Sequence, residues 1–221
     1  VAVALSRVAP VALVTLAVAA ALMLPTAQAA AQGSARTQAA AEPDGQRIYQ
    51  RDCAYCHGDS GEGTSRGQSL EGIGEAEVDY ALTTGRMPIR TPGEKRKRRP
   101  PRYLRPEIDA LLDYLGPTIA SGPTIPEVDP ARGDIAQGGE VFRAECASCH
   151  QWAGQGGALL RLNAPSLARS TPTQIGEAVR AGPVTMPAFS AATISNDDLD
   201  SIAAYVLFLR HPEDRGGLGL W

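Results

Sequence analysis

Cys146-Ala-Ser-Cys149-His150 and its earlier copy, Cys53-Ala-Tyr-Cys56-His57, decide how the chain is read. Two thiols three positions apart, followed at once by an imidazole, form the attachment motif of a c-type haem. The thiols add across the two porphyrin vinyl groups, and the residue after them is left facing the ring. Its imidazole then falls beneath the iron as proximal ligand. All four cysteines of the chain lie in these two motifs, and so do two of its three histidines. Each pair could instead close a local disulfide, or the four thiolates could share one structural zinc. Neither alternative needs a histidine after the second cysteine, and neither needs a methionine. The spacing favours two covalent haem c groups, held by Cys53, Cys56, Cys146 and Cys149, with His57 and His150 on the irons.

Methionine usage points the same way. Met23 lies in an N-terminal apolar stretch, whereas Met87 and Met186 each precede a proline, in Gly85-Arg86-Met87-Pro88 and Thr185-Met186-Pro187. A thioether is a soft, neutral donor, and His/Met ligation raises the potential of a cytochrome iron. A gap-filling core methionine is the bland alternative. Two in matching contexts, each downstream of its own motif, favour Met87 and Met186 as the sixth ligands.

Length bounds the answer to one or two domains at 221 residues. Two units of roughly 75 residues would have thin cores on their own, and a covalent haem supplies the apolar body each folds around. Residues 1–29 read as a signal peptide or N-terminal membrane anchor: Arg7, an uncharged apolar run from Val8 to Leu24, then Ala27-Gln28-Ala29 as a cleavage pattern. Either places the cysteines on the extracytoplasmic face of a cell membrane. Residues 30–41 are small and polar, a tether. The rest carries all 24 acidic groups of a chain with net charge −3. Nothing suggests nucleic acid, and acidic faces suit steering of a basic partner.

Two units follow, residues 42–117 and 135–212, and both are expected to be helical. Gly45 and Gly138 lie eight residues before the first cysteine of their motifs, with Tyr49 and Phe142 four before. A glycine and an aromatic one turn apart suit close crossing by another helix. Glycine-rich loops are expected at 58–67 and 154–157. Short helices over 75–84 and 172–181 come next, with Val78/Leu82 and Ile175/Val179 as apolar faces and Gly85 and Gly182 closing them. The last helices start at Pro106 and at a Ser195/Asp198 capping box. Landmarks recur at offsets of 91 to 99 residues, so the chain is a tandem duplication.

Between the units, residues 118–134 read as a proline-stiffened spacer. The basic run from Lys95 to Arg105 reads as a solvated loop, or more sharply as a docking loop for an acidic partner or anionic headgroups. His211 reads as a surface histidine. Residues 213–221 form a glycine-rich tail.

These landmarks resemble class I cytochrome c, duplicated, an all-α fold. That resemblance implies that the terminal helices of each unit cross at the Gly/aromatic contact. It also implies that a proline after the haem motif aims a backbone carbonyl at the proximal imidazole. Pro165 fits that role, but the first unit has Gln68 there, which puts its proximal hydrogen bond in question. More narrowly, the chain is similar to the dihaem cytochrome c subunit of the actinobacterial menaquinol–cytochrome c oxidoreductase, the cytochrome bcc complex. The stretches that carry this are Gly72-Ile-Gly-Glu-Ala76, Thr84-Gly-Arg-Met-Pro88, Phe142-Arg-Ala-Glu-Cys-Ala-Ser-Cys-His150 and Gly156-Gly-Ala-Leu159. Members of that family pass electrons from a Rieske iron–sulfur centre through two haems to a cytochrome c oxidase, in company with a cytochrome b subunit. They continue from the glycine-rich tail into a C-terminal transmembrane helix, so truncation after Trp221 is expected here.

The reading that follows is a non-catalytic electron relay through two His/Met haems, membrane-associated within a respiratory translocase complex. Rival readings are a freely diffusing dihaem shuttle, the haem subunit of an exported dehydrogenase, and a dihaem peroxidase. The last needs an open sixth position, against which Met87 and Met186 speak.

Overall fold

The computed structural model describes residues 43–159 and 162–211. The expected signal peptide or anchor at 1–29, the expected tether at 30–41 and the expected tail at 213–221 lie outside the described residues. Among the described residues, no helix is long and apolar enough to cross a membrane.

Each half begins with a helix fixed by an aspartate cap. In the first, α1 (Gly45–Asp52) is capped by Asp44, whose carboxylate accepts from Arg47 N–H at 3.0 Å. It leads into the single-turn α2 (Ala54–His57), and later come α3 (Glu75–Thr83) and the long α4 (Arg105–Ile119). The second half repeats the plan with α5 (Ile135–Val141), a π-helical turn at Phe142–Cys146, α6 (Ala147–His150), α7 (Pro172–Ala181) and α8 (Asn196–Phe208). Thr171 with Gln174, and Ser195 with Asp198, cap α7 and α8 reciprocally.

The glycine-and-aromatic pairs do what their spacing implied. A Cβ on Gly45 would sit 1.8 Å from Ala110 O on α4, and one on Gly138 would sit 1.9 Å from Ser201 O on α8. Only hydrogen in place of a side chain lets these backbones touch. One turn on, Tyr49 meets Tyr114 with ring centres 5.4 Å apart, and Phe142 meets Tyr205 at the same distance. Two apolar clusters result. One holds Ile48, Tyr49, Val78, Leu82, Ile108, Leu111 and Leu115; the other holds Phe142, Ile175, Val179, Leu199, Ile202 and Val206.

Three expectations are corrected. The expected loop after the second haem motif gives way at Gly157 to a small antiparallel ribbon, β1 (Gly157–Leu159) against β2 (Leu162–Ala164). Gly156, at φ 75°, draws the two backbones together, since its Cβ position lies 2.6 Å from Ala164 O. The molecule remains an all-α protein. Next, α4 does not stop at residue 117 but runs through Pro117 to Ile119. Proline removes one helical donor, yet Ile119 is fully buried and Thr118 O accepts from Gly72 N–H at 3.0 Å, so first-half contacts hold the last turn.

The third correction concerns the stretch after it. Residues 120–134 are a strap, not a spacer. Pro123 O accepts from Ala76 N–H at 3.1 Å, and Ile125 packs on the first cluster while Val128 packs on the second. Asp129 N–H and the Arg132 guanidinium then bind Asp200 at 2.8 and 3.0 Å. The halves meet directly as well, α3 against α7. Asp79 and Glu177 are both buried in that seam, and Asp79 pairs with Arg105 at 2.5 Å.

Candidate functional site

Each cysteine motif occupies one helical turn. Cys53 N–H donates to Tyr49 O at 2.8 Å as α1 ends, and His57 N–H returns to Cys53 O at 2.9 Å, so Cys53 caps the turn that carries Cys56 and His57. Burial pushes the Cys53 thiol up to about 12 and the Cys146 thiol up to about 11. Both thiols sit in apolar surroundings. All four cysteines are free, the two pairs lie in separate halves, and no group of three or more His, Cys, Asp or Glu is placed to hold a metal among the described residues.

After the histidine the chain must turn away sharply, and the halves do this differently. Gly58 takes φ 84° in the first, where Glu62 accepts from the Asp59 and Ser60 N–H groups to fix the turn. Gln151 takes φ 66° in the second, a conformation that disfavours an L side chain.

Both imidazoles are oriented by a backbone carbonyl. His150 Nδ1 donates to Pro165 O at 3.0 Å, and His57 Nδ1 donates to Gln68 O at 2.8 Å. The first-half contact that Gln68 had put in question is therefore present; a carbonyl, not a proline ring, is what the interaction needs. An Nδ1 so engaged leaves Nε2 with its lone pair, the arrangement of a metal-ligating imidazole. Burial lowers the His150 pKa, outweighing the Pro165 carbonyl.

Met87 comes to the same place as the first motif. Cys56, His57, Gly67, Gln68, Met87 and Ile89 line one cavity of about 210 Å³, and Met87 and Ile89 also border a neighbouring one of about 320 Å³. Thiol, imidazole and thioether facing one cleft is a donor set that fits a haem c, and Cys53 packs with Met87 on the first cluster. In the second half Met186 packs against the cluster that contains Cys146 and Ala147. His211 is exposed, as expected.

One feature went unread in the sequence, and another was read only in part. Arg180, at the end of α7, grips the second methionine loop: its guanidinium donates to Phe189 O at 3.1 Å, Ile194 O at 2.8 Å and Asn196 Oδ1 at 2.9 Å. An arginine in a last helical turn is common enough that nothing marked it. The basic run is the other. Lys95 and Lys97 are exposed, as a solvated loop requires, but four of the run's arginines pair with carboxylates of the molecule. Arg96 lies 3.9 Å from Glu77, Arg99 binds Glu94, Arg102 lies 3.1 Å from Asp52, and Arg105 binds Asp79 and Asp109. The carboxylates that answer these charges are scattered from residue 52 to residue 109, so the run looks unpaired when read linearly.

The family model described as cytochrome c oxidase, cbb3-type, subunit III matches twice, over residues 40–115 and 133–206. The chain is a duplicated cytochrome c. It is 35% identical over 207 residues to the cytochrome bc1 complex cytochrome c subunit of Mycobacterium tuberculosis, covering 90% of this chain and 73% of that one. The subunit of the same name from Corynebacterium diphtheriae is 34% identical over 197 residues, covering 80% and 69%. A cytochrome c6 of Leptolyngbya boryana is 40% identical over 78 residues, about one half of the duplication. The chain thus belongs to the actinobacterial family of bc1-complex cytochrome c subunits, whose domains carry covalently attached haem c.

Proposed function

We propose that this cytochrome binds two haem c groups and relays single electrons within a membrane-bound menaquinol–cytochrome c oxidoreductase of the bc1 type. The first group is attached to Cys53 and Cys56 between His57 and Met87, the second to Cys146 and Cys149 between His150 and Met186. Electrons enter from a Rieske iron–sulfur subunit beside a cytochrome b subunit and leave to a cytochrome c oxidase, on the extracytoplasmic face of the cell membrane. A bound haem c supplies a reversible one-electron iron couple. The chain holds the imidazoles by the Gln68 and Pro165 carbonyls, the thioethers by the Met87 and Met186 loops, and each site within its own apolar cluster. His57 with Met87, and His150 with Met186, would hold the two irons, and such donor pairs would leave the groups to electron transfer rather than substrate binding.

The observation that carries this reading is the cavity that His57, Cys56 and Met87 share. Its test is purification of the chain from membranes under mild detergent. Two covalent haems per chain with low-spin spectra, accompanied by cytochrome b and Rieske subunits, are expected. A partner-free dihaem protein would favour the diffusing shuttle, and a high-spin iron would end the His/Met assignment.

A further inference from the structure

The two methionines are anchored by different means. Met87 N–H donates to Ala81 O on α3 at 3.1 Å, so the first candidate ligand is tied to its helix by its own backbone. Met186 N–H donates instead to Pro183 O at 3.1 Å, inside the loop that carries it. That loop, residues 182–195, also contains Val184 at φ 63°, a left-handed conformation that a β-branched side chain resists. Val184 is exposed, so no burial of its side chain offsets the strain. A strained conformation persists only where neighbouring contacts over-determine it.

Those contacts come from the end of α7. Phe189 N–H donates to Val179 O at 2.8 Å, and the Cβ position of Gly182 lies 2.5 Å from Ala188 N. Arg180 ties the rest. Its Nη1 donates to Phe189 O at 3.1 Å and to Ile194 O at 2.8 Å, while its Nη2 donates to Asn196 Oδ1 at 2.9 Å. One guanidinium thus joins the middle of the loop, just past Met186, to its far end and to the first residue of α8. Phe189 and Met186 pack on the same apolar cluster, so what holds one bears on the other. These acceptors are all neutral, and among the described residues Arg180 forms no ion pair. Its planar fork therefore fixes the shape of the loop rather than answering a charge. Thr83 stands at the equivalent place in the first half, two residues before the helix-closing glycine. Its hydroxyl donates to Asp79 O at 2.8 Å within its own helix and reaches no methionine loop.

We propose that Arg180 is a positioning residue for the sixth ligand of the second iron, holding Met186 in place through the loop it clamps. The inference rests on the dihaem reading above. It makes the two sites unequal in what guards the thioether against a competing ligand. Met87 is held by its own amide, whereas Met186 depends on one side chain of α7.

The test titrates the complete, oxidised, haem-loaded chain with imidazole, which competes with a thioether for ferric iron. Proton NMR follows the methionine methyl signal of each site, with Met87→His and Met186→His showing which signal belongs to which half. In Arg180→Gln, full haem content is expected, with the second site taking up imidazole at about a tenfold lower concentration, the scale of one hydrogen bond from a charged group. The first site should respond as in the wild type. Arg180→Lys, which keeps the charge without the fork, should fall between. Asp134→Ala removes the cap of α5 in the same half; it should lower the unfolding midpoint yet leave imidazole uptake at the wild-type concentration. Unchanged uptake at the second site of Arg180→Gln, or an equal rise in Asp134→Ala, would overturn the proposal. Should Arg180→Gln not accumulate, Arg180→Lys and Asn196→Ala carry the same test, and no rise in either would overturn it equally. A wild type without the second methionine signal before imidazole is added would instead strike the dihaem reading itself.

Discussion

The two halves solve one problem with different residues, and the differences separate what the haem motif demands from what it tolerates. Both need a carbonyl at the proximal Nδ1; Pro165 supplies it in one half and Gln68 in the other. Both need a sharp turn after the histidine; Gly58 takes it without strain and Gln151 takes it against its own side chain. Both need two helices in backbone contact, and there no substitution has occurred: Gly45 and Gly138 stand at equivalent positions. Surroundings diverge as well. His150 is buried while His57 is half-buried, and Arg96 of the basic run borders the first cleft.

The largest expected effect concerns the sixth ligand. Replacing Met87 or Met186 by histidine should lower the midpoint of that half's haem alone by a few tenths of a volt, within the roughly 0.8 V that axial ligands span. Redox titration of the two variants side by side checks this. A shift of both waves by either variant would show that the halves are not independent sites.

Next in size is the helix crossing. Gly45→Ala and Gly138→Ala each push a methyl into backbone oxygen, and each should cost about 1–3 kcal/mol. Thermal unfolding of the holo-protein reads the loss. Similar losses would support equivalent crossings, whereas a silent variant in one half would mean that half does not depend on the contact.

A smaller effect belongs to the seam. Glu177 has its pKa raised from 4.5 to about 10. Between those values the folded chain keeps this proton and the unfolded chain has released it. The group's contribution to stability is therefore complete below about pH 4.5 and declines as pH rises toward 10. Glu177→Gln removes the titration and should stabilise the protein at pH 8 by about 1–3 kcal/mol, the scale of a buried polar group's desolvation. The gain should shrink toward pH 4.5. A gain that did not vary with pH would contradict the assignment of a neutral acid.

Smallest is the turn. Gln151→Gly should stabilise the second half by about 1 kcal/mol by relieving left-handed backbone strain, measured as a raised unfolding midpoint. The same logic gives no gain at Gly58. Equal responses to substitution at the two positions would erase the contrast.

Much of this plan is legible in the sequence, because the signals are local. The cysteine motifs, the Asp44 and Ser195 caps, the apolar periods of α3 and α7, and the crossing glycines all carry their reasons within a few residues. What was misread depends on partners far along the chain. Pro117 looks like a helix end until Thr118 O meets Gly72 N–H. The linker prolines look like a spacer until Pro123 and Val128 find the two halves. Arg96, Arg99, Arg102 and Arg105 look free until their acids are located. Gln68 breaks the sequence pattern yet preserves the carbonyl, since the hydrogen bond uses backbone that any residue carries.

The most direct test of the account is the coordination of both irons in the exported, purified chain, read by proton NMR of the reduced protein. The account predicts two haems per chain and two sets of strongly upfield-shifted methionine methyl signals, one lost in Met87→His and the other in Met186→His. A single haem, or two haems with no such signals, would contradict it.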